Sequence, residues 1–160
     1  MISKRAIVGL IVEQLTEQLN TLVDASRAMH ADASDEQSKP EDKYDTRGLE
    51  TAYLASSQAR MATEIEQALA IYRALELQKF TEKTPINLTA LVGLEFRGTC
   101  TVHFLGPKGG GMEIRHKGQE ILVITPESPI GQQLLGKKVG DSIQFQTRGP
   151  AQEFRVTSVR

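Results

Sequence analysis

The chain has 160 residues, room for one domain of ordinary size or two small ones. Its formal net charge of -1 supplies no overall pull toward nucleic acid or an acidic membrane surface. A single cysteine, Cys100, excludes an internal disulfide and fits a reducing compartment. Its neighbours Thr99 and Thr101 read as strand, so the thiol is expected to be buried and structural.

The first residues, Met1 to Arg5, are followed by the apolar run Ala6 to Val12, which Glu13 ends. A membrane span needs ~20 apolar residues, and no small-residue cleavage site follows, so this run reads as the start of a packed helix in a cytoplasmic protein. Ser3 is a plausible N-cap for it. From Val8 the apolar spacing alternates four and three through Val12, Leu15, Leu19 and Leu22, then thins to Ser26, Met29 and Ala33. That is a heptad seam. Ile7, Leu10 and Ile11 widen the stripe near its start, which predicts a third surface over that end.

Pro40 cannot sit inside a helix, so the turn falls near residues 37–40. A second helix begins between Pro40 and Thr46, and its seam runs through Leu54, Gln58, Met61, Ile65, Ala68, Tyr72 and Leu75. Each helix is roughly 30 residues, about 45 Å long. Two such seams joined by a short polar turn predict an antiparallel coiled-coil hairpin over residues 1–78, with an acidic tip near 35–45.

Pro85 and its polar neighbours break the period, which places a linker at 79–87. The period then becomes two. Strands are predicted over Thr89–Phe96, Thr99–Leu105, Met112–His116 and Glu120–Thr125, with a closing hairpin from Ser142–Gln146 and Glu153–Val159. One short helix interrupts them, with Ser128 as N-cap, Pro129 at its first position and Gly136 just past its end. Residues 88–160 therefore read as a small α+β domain, a twisted sheet with one helix packed on it.

Few residues suggest chemistry. Gly106 to Gly111 lies between two strands and lacks the Lys-Ser/Thr ending of a phosphate-binding loop, so it reads as a flexible hairpin. His30, His103 and His116 lack ligand spacing, and His116 reads as a solvated hairpin residue. Asp141 after Gly140 is a turn aspartate. At the tip, Asp42 and Asp45 stand three apart, so on a helix they share a face. Two carboxylates can hold Mg²⁺ with water, but only weakly unless another molecule supplies more ligands. The alternative is a helix start stabilised by acids against its dipole.

The stretch Ser128-Pro129-Ile130-Gly131-Gln132-Gln133-Leu134-Leu135-Gly136-Lys137-Lys138-Val139-Gly140-Asp141, with Val123-Ile124-Thr125-Pro126-Glu127 before it and Glu153-Phe154-Arg155-Val156 after it, resembles the C-terminal domain of the Gre family of bacterial transcript-cleavage elongation factors. The order of the parts agrees, and the motif-level likeness covers about residues 120–160. A nucleoside-diphosphate-kinase-regulator family that also binds RNA polymerase shares the motif.

The resemblance implies an FKBP-like α+β fold for residues 88–160, without isomerase activity. It implies docking on RNA polymerase, with Ser128, Pro129 and Ile130 as contact residues, and a coiled coil that enters the secondary channel. It also implies that Asp42 and Asp45 assist catalysis by holding an Mg²⁺ shared with the polymerase active centre, since the protein binds no cofactor alone. Contact with nascent RNA and DNA would be indirect. The family's Asn-Ala-Glu-Tyr after the acidic pair is absent, Thr46-Arg47-Gly48-Leu49 standing there instead, and Asp45 stands where Glu is usual. The chain thus resembles a divergent Gre-like subgroup. Two functions follow, stimulation of the polymerase's cleavage of backtracked RNA, or occupation of the channel without cleavage. A freestanding proline isomerase is a weaker third, because the second domain lacks Trp and has only scattered Phe.

Overall fold

The computed structural model describes residues 3–33, 47–146 and 150–160. In chain order the elements are α1 (Lys4–Ala33), α2 (Arg47–Arg73), β1 (Leu91–Phe96), β2 (Thr99–Leu105), β3 (Glu113–His116), β4 (Gln119–Ile124), α3 (Pro129–Leu134), β5 (Ser142–Phe145) and β6 (Gln152–Val159). The fold class is α+β, a helix pair followed by a six-stranded sheet. The chain divides into two compact units, residues 12–73 and residues 1–11 together with 74–160. No described helix is long and apolar enough to cross a membrane.

In the helical unit, Leu15, Ala68, Leu69 and Tyr72 are buried. Toward the other end the seam loosens. Leu54 and Met61, expected on the seam of α2, are 47% and 49% exposed. The half-buried positions there are Ala55, Ser57, Gln58, Ala62 and Ile65, of which Gln58 and Ile65 were expected. Ser57 apart, these residues with Leu69 and Tyr72 alternate three and four apart, so the heptad continues with Ala55 and Ala62 standing where Leu54 and Met61 were expected. Small side chains then line the contact. A cavity of about 180 Å³ opens among Leu22, Val23, Ser26 and Arg27 of α1 and Gln58, Ala59 and Ala62 of α2. The Gln58 Oε1 atom is buried there with no hydrogen-bond partner among the described residues.

In the other unit the strand order is β3-β4-β2-β1-β6-β5. The pair β2–β4 is parallel, and the pairs β1–β2, β1–β6, β3–β4 and β5–β6 are antiparallel. Alternation along the strands sends Val92, Leu94, Leu105, Ile124, Ile143 and Val156 into one core, where Leu134 of α3 also lies. Ile130, Val139, Phe80 and Phe154 pack at its margin. Adjacent residues such as Phe104 and Leu105 are both fully buried, so the middle of the sheet is covered on both faces. Ile7 and Ile11 at the start of α1 belong to this unit and are also fully buried.

The segment expected to be a linker is stitched to the sheet. Gln78 N–H donates to Thr89 Oγ1 at 3.0 Å, and Thr89 N–H donates to the Leu105 carbonyl at 2.8 Å. Ile86 is a core residue, its N–H donating to the Lys137 carbonyl at 2.7 Å and its carbonyl accepting from Gly136 N–H at 2.9 Å. The Lys4 ammonium donates to the Gln78 carbonyl and lies 4.7 Å from the centre of the Phe80 ring. Partial burial lowers the Lys4 pKa.

Two local expectations are corrected. Cys100 is exposed, because the first residues of β2 extend past the covered part of the sheet. Gly106 to Gly111 is no hairpin. Strand β4 lies between β2 and β3, so the loop steps across it. Gly106 and Gly111 donate to the Ile124 and Val123 carbonyls, each at 2.8 Å, which ties both ends of the loop to β4.

Candidate functional site

The resemblance singles out the start of α3, and the structure shows how the sequence builds it. Ser128 is extended, with φ -68° and ψ 149°, and it is the N-cap. Its hydroxyl donates to the Thr125 carbonyl at 2.7 Å and accepts from Gly131 N–H at 3.1 Å. One side chain thus closes the preceding turn and satisfies a free amide at the helix start. Pro129 occupies the first helical position, where a missing N–H costs nothing. Its ring is exposed.

Gly131 is required by close approach. A Cβ there would stand 1.9 Å from the Thr125 carbonyl oxygen. The motif therefore folds the chain back on itself, with Thr125 at the centre. A glycine in the first turn of so short a helix was the signal in the sequence, and its partner Thr125 was not foreseeable from spacing alone.

Ile130 is half-buried and packs against the sheet core. At the helix start, exposure belongs instead to Glu127, Pro129, Gln132 and Gln133. Gln133 Oε1 accepts from Gln144 N–H at 3.0 Å, which ties α3 to β5. Beyond the helix, Gly136 has φ 77°, and Asp141 Oδ2 accepts from Lys138 N–H at 2.8 Å, the turn expected of it. The glycine loop adjoins this surface, since a Cβ on Gly110 would lie 3.2 Å from Thr125 Cγ2.

Among the described residues, the other candidates do not gather around it. His103 is 7% exposed, and its Nδ1 has no hydrogen-bond partner among the described residues. Burial pushes its pKa down to about 4, so it is neutral at pH 7. His116 is half-buried at the end of β3, and the His30 side chain lies outside the described residues. Among the described residues no three His, Cys, Asp or Glu side chains form a group able to hold a metal. Asp42 and Asp45, the expected metal ligands, lie outside the described residues.

Comparison with known proteins bears on the same stretch. Residues 98–160 match the family described as "Transcription elongation factor, GreA/GreB, C-term". Across 153 residues the chain is 28% identical to the Transcription inhibitor protein Gfh1 of Thermus aquaticus, covering 93% of this chain and 89% of that protein. Among solved structures it is similar to Gfh1 of Thermus thermophilus, at 22% identity, 93% and 94% coverage and a TM-score of 0.39. It is also similar to GreA/GreB of Nitrosomonas europaea, at 21% identity, 59% and 78% coverage and a TM-score of 0.37. The family match spans β2 to β6 and includes the Ser128 cap and the Gly131 contact, so it is over residues 98–160 that this chain is similar to the GreA/GreB transcription elongation factor family.

Proposed function

We propose that this protein is an accessory factor of RNA polymerase that docks through its sheet domain and extends its helix pair into the secondary channel. The family match over residues 98–160 carries this reading. The docking contact is assigned to the start of α3, with Ser128 shaping the loop, Pro129 offering an exposed ring and Ile130 bracing both against the core.

Within the channel, the reading favoured here is occupation that restrains transcription. Its support is the whole-length likeness to a protein named a transcription inhibitor, together with the replacement of the family's residues after the acidic pair by Thr46-Arg47-Gly48-Leu49. The spacing of Asp42 and Asp45 supports the second reading, stimulated cleavage of backtracked RNA. There the two carboxylates would be ligands of an Mg²⁺ shared with the polymerase, whose chemistry is to activate water and stabilise the leaving oxygen. Two carboxylates leave an octahedral ion short of ligands, so the polymerase must supply the others. In both readings the protein is not itself the enzyme.

Core RNA polymerase stalled in a backtracked complex separates them. Inhibition of nucleotide addition without RNA shortening supports occupation. RNA shortening that is lost in Asp42→Ala/Asp45→Ala supports cleavage. Failure to bind core polymerase at all defeats both.

A further inference from the structure

The near-zero net charge hides two opposite halves. Residues 1–11 and 74–160 hold 13 Lys and Arg against 8 Asp and Glu, and residues 12–73 hold 6 against 12. The sheet unit is thus basic and the helix pair acidic.

The topology gathers part of that positive charge. The β1–β2 hairpin turns at Arg97-Gly98, and the β3–β4 hairpin turns at Lys117-Gly118. Because β2 and β4 run parallel, both turns lie at the same end of the sheet. The pairing of Val102 with Ile121, counted back three residues, sets Thr99 level with Gly118. Each hairpin spans two strands, so the turns stand about 10 Å apart.

Both turns break a local preference. A two-residue hairpin turn with positive φ at both positions favours Asn-Gly or Asp-Gly. Here the first positions are Arg97 and Lys117, each with φ 50°, followed by Gly98 at 79° and Gly118 at 78°. A long cation in left-handed backbone is conformationally unfavourable where Asn would be easier. The same unfavourable choice is made twice, side by side, at exposed positions. Such a break with local rules is expected where function requires the side chain.

Among the described residues this end also carries the acids Glu95, Glu120 and Glu153. Glu120 pairs with Arg115 at 3.7 Å, and Glu95 stands opposite Arg155. Glu153 is level with Arg97 on the neighbouring strand, and no ion pair between them is among those described. The Arg97 guanidinium lies instead 5.0 Å from the centre of the Phe96 ring, which packs on Phe154. Among the described residues the edge therefore offers these two cations and no free aromatic anchor. Protein interfaces draw most of their energy from anchors buried in well-packed pockets, whereas both of these cations stand exposed on turns. A phosphate backbone needs only cations within reach of a continuous line of charge.

We propose that this turn edge binds the phosphate backbone of nucleic acid, with Arg97 and Lys117 as the two phosphate contacts. It does not rest on the channel reading, since the partner is nucleic acid itself and no polymerase is needed to test it.

The test is fluorescence anisotropy of a labelled 20-base-pair DNA duplex titrated with the full chain at 50 and 200 mM KCl, beside the thermal melting of each protein. Two phosphate contacts predict a log–log salt slope of about -1.8, so binding weakens about tenfold between the two salts. Arg97→Asn/Lys117→Asn is expected to bind at least about fivefold more weakly at 50 mM and to lose about that slope. It should also melt a few degrees higher, because Asn suits the left-handed turn. Absence of duplex binding by the unaltered chain at 50 mM would overturn the proposal and leave an acidic protein surface as the partner. A double variant that binds as tightly would also overturn it. So would one that melts lower, because the two cations would then serve the fold.

Discussion

His103 gives the sheet domain a dependence on pH whose sign is fixed. The unfolded imidazole titrates near its ordinary 6.5, whereas burial lowers the folded value to about 4. Between those values the unfolded chain binds more protons, so stability is fully present above pH 6.5 and falls as pH drops toward 4. From pH 7 to pH 5 the loss is about 2 kcal/mol, and it is absent in His103→Leu. Urea titrations at the two pH values would measure it, and an equal loss in both proteins would assign the effect to other groups. The cap is the other residue-scale lever. Ser128→Ala removes both hydroxyl hydrogen bonds and is expected to cost about 1–2 kcal/mol. Gly131→Ala should be worse, because its Cβ meets backbone at 1.9 Å and the turn must open. If Gly131→Ala weakens polymerase binding more than it lowers the melting temperature, the shape of this turn is the docking feature. Ser128, Pro129 and Gly136 were legible because capping residues act locally. The exposure of Cys100 and the burial of His103 were not, because period two says which residues share a face but not how far along a strand the cover extends.

At the scale of elements, most of the sheet could be read from the sequence because turn chemistry marks its ends. Arg97-Gly98 and Lys117-Gly118 sit where expected, and all six strands fall within two residues of their expected limits. The order of the strands was not readable. Nothing local reveals that β4 pairs parallel with β2, and this non-local pairing turns an expected glycine hairpin into a loop across the sheet. In the helix pair the heptad spacing held but its register did not, since Ala55 and Ala62 take the inner positions expected of the larger Leu54 and Met61. Small Ala59 and Ala62 line the cavity beside Gln58, whose buried acceptor has no partner among the described residues. Gln58→Leu removes the orphaned acceptor and adds apolar volume beside Leu22, so it should stabilise the helical unit by roughly 1 kcal/mol. Slower amide exchange across α1 and α2 would show it. A lower stability would mean that Gln58 is satisfied by water in solution.

On the scale of the whole molecule, the first helical turns of α1 belong with a sheet that begins more than seventy residues later. The reading of α1 as wider than one seam at its start came from Ile7, Leu10 and Ile11, and two of these are fully buried. The segment between α2 and β1 was read as a linker because Pro85 and polar residues surround it, yet Ile86 within it is core. Polarity marked the break in helical period correctly and concealed the packing. The consequence is testable by truncation. A fragment of residues 74–160 keeps every strand, α3, Phe80 and Ile86, but loses Ile7, Ile11 and the Lys4 contact to the Gln78 carbonyl. Deleting a buried Ile side chain costs about 2–5 kcal/mol, and a domain of this size is stable by only about 5–15 kcal/mol. The fragment should therefore fold with much reduced stability and expose apolar surface that promotes association. Its urea midpoint by far-ultraviolet circular dichroism is expected below that of the intact sheet unit, and Ile7→Ala/Ile11→Ala in the full chain should lower that midpoint in the same direction. A fragment that matches the full chain's midpoint and remains monomeric would show that the sheet is complete without α1, and that Ile7 and Ile11 are buried without supporting it.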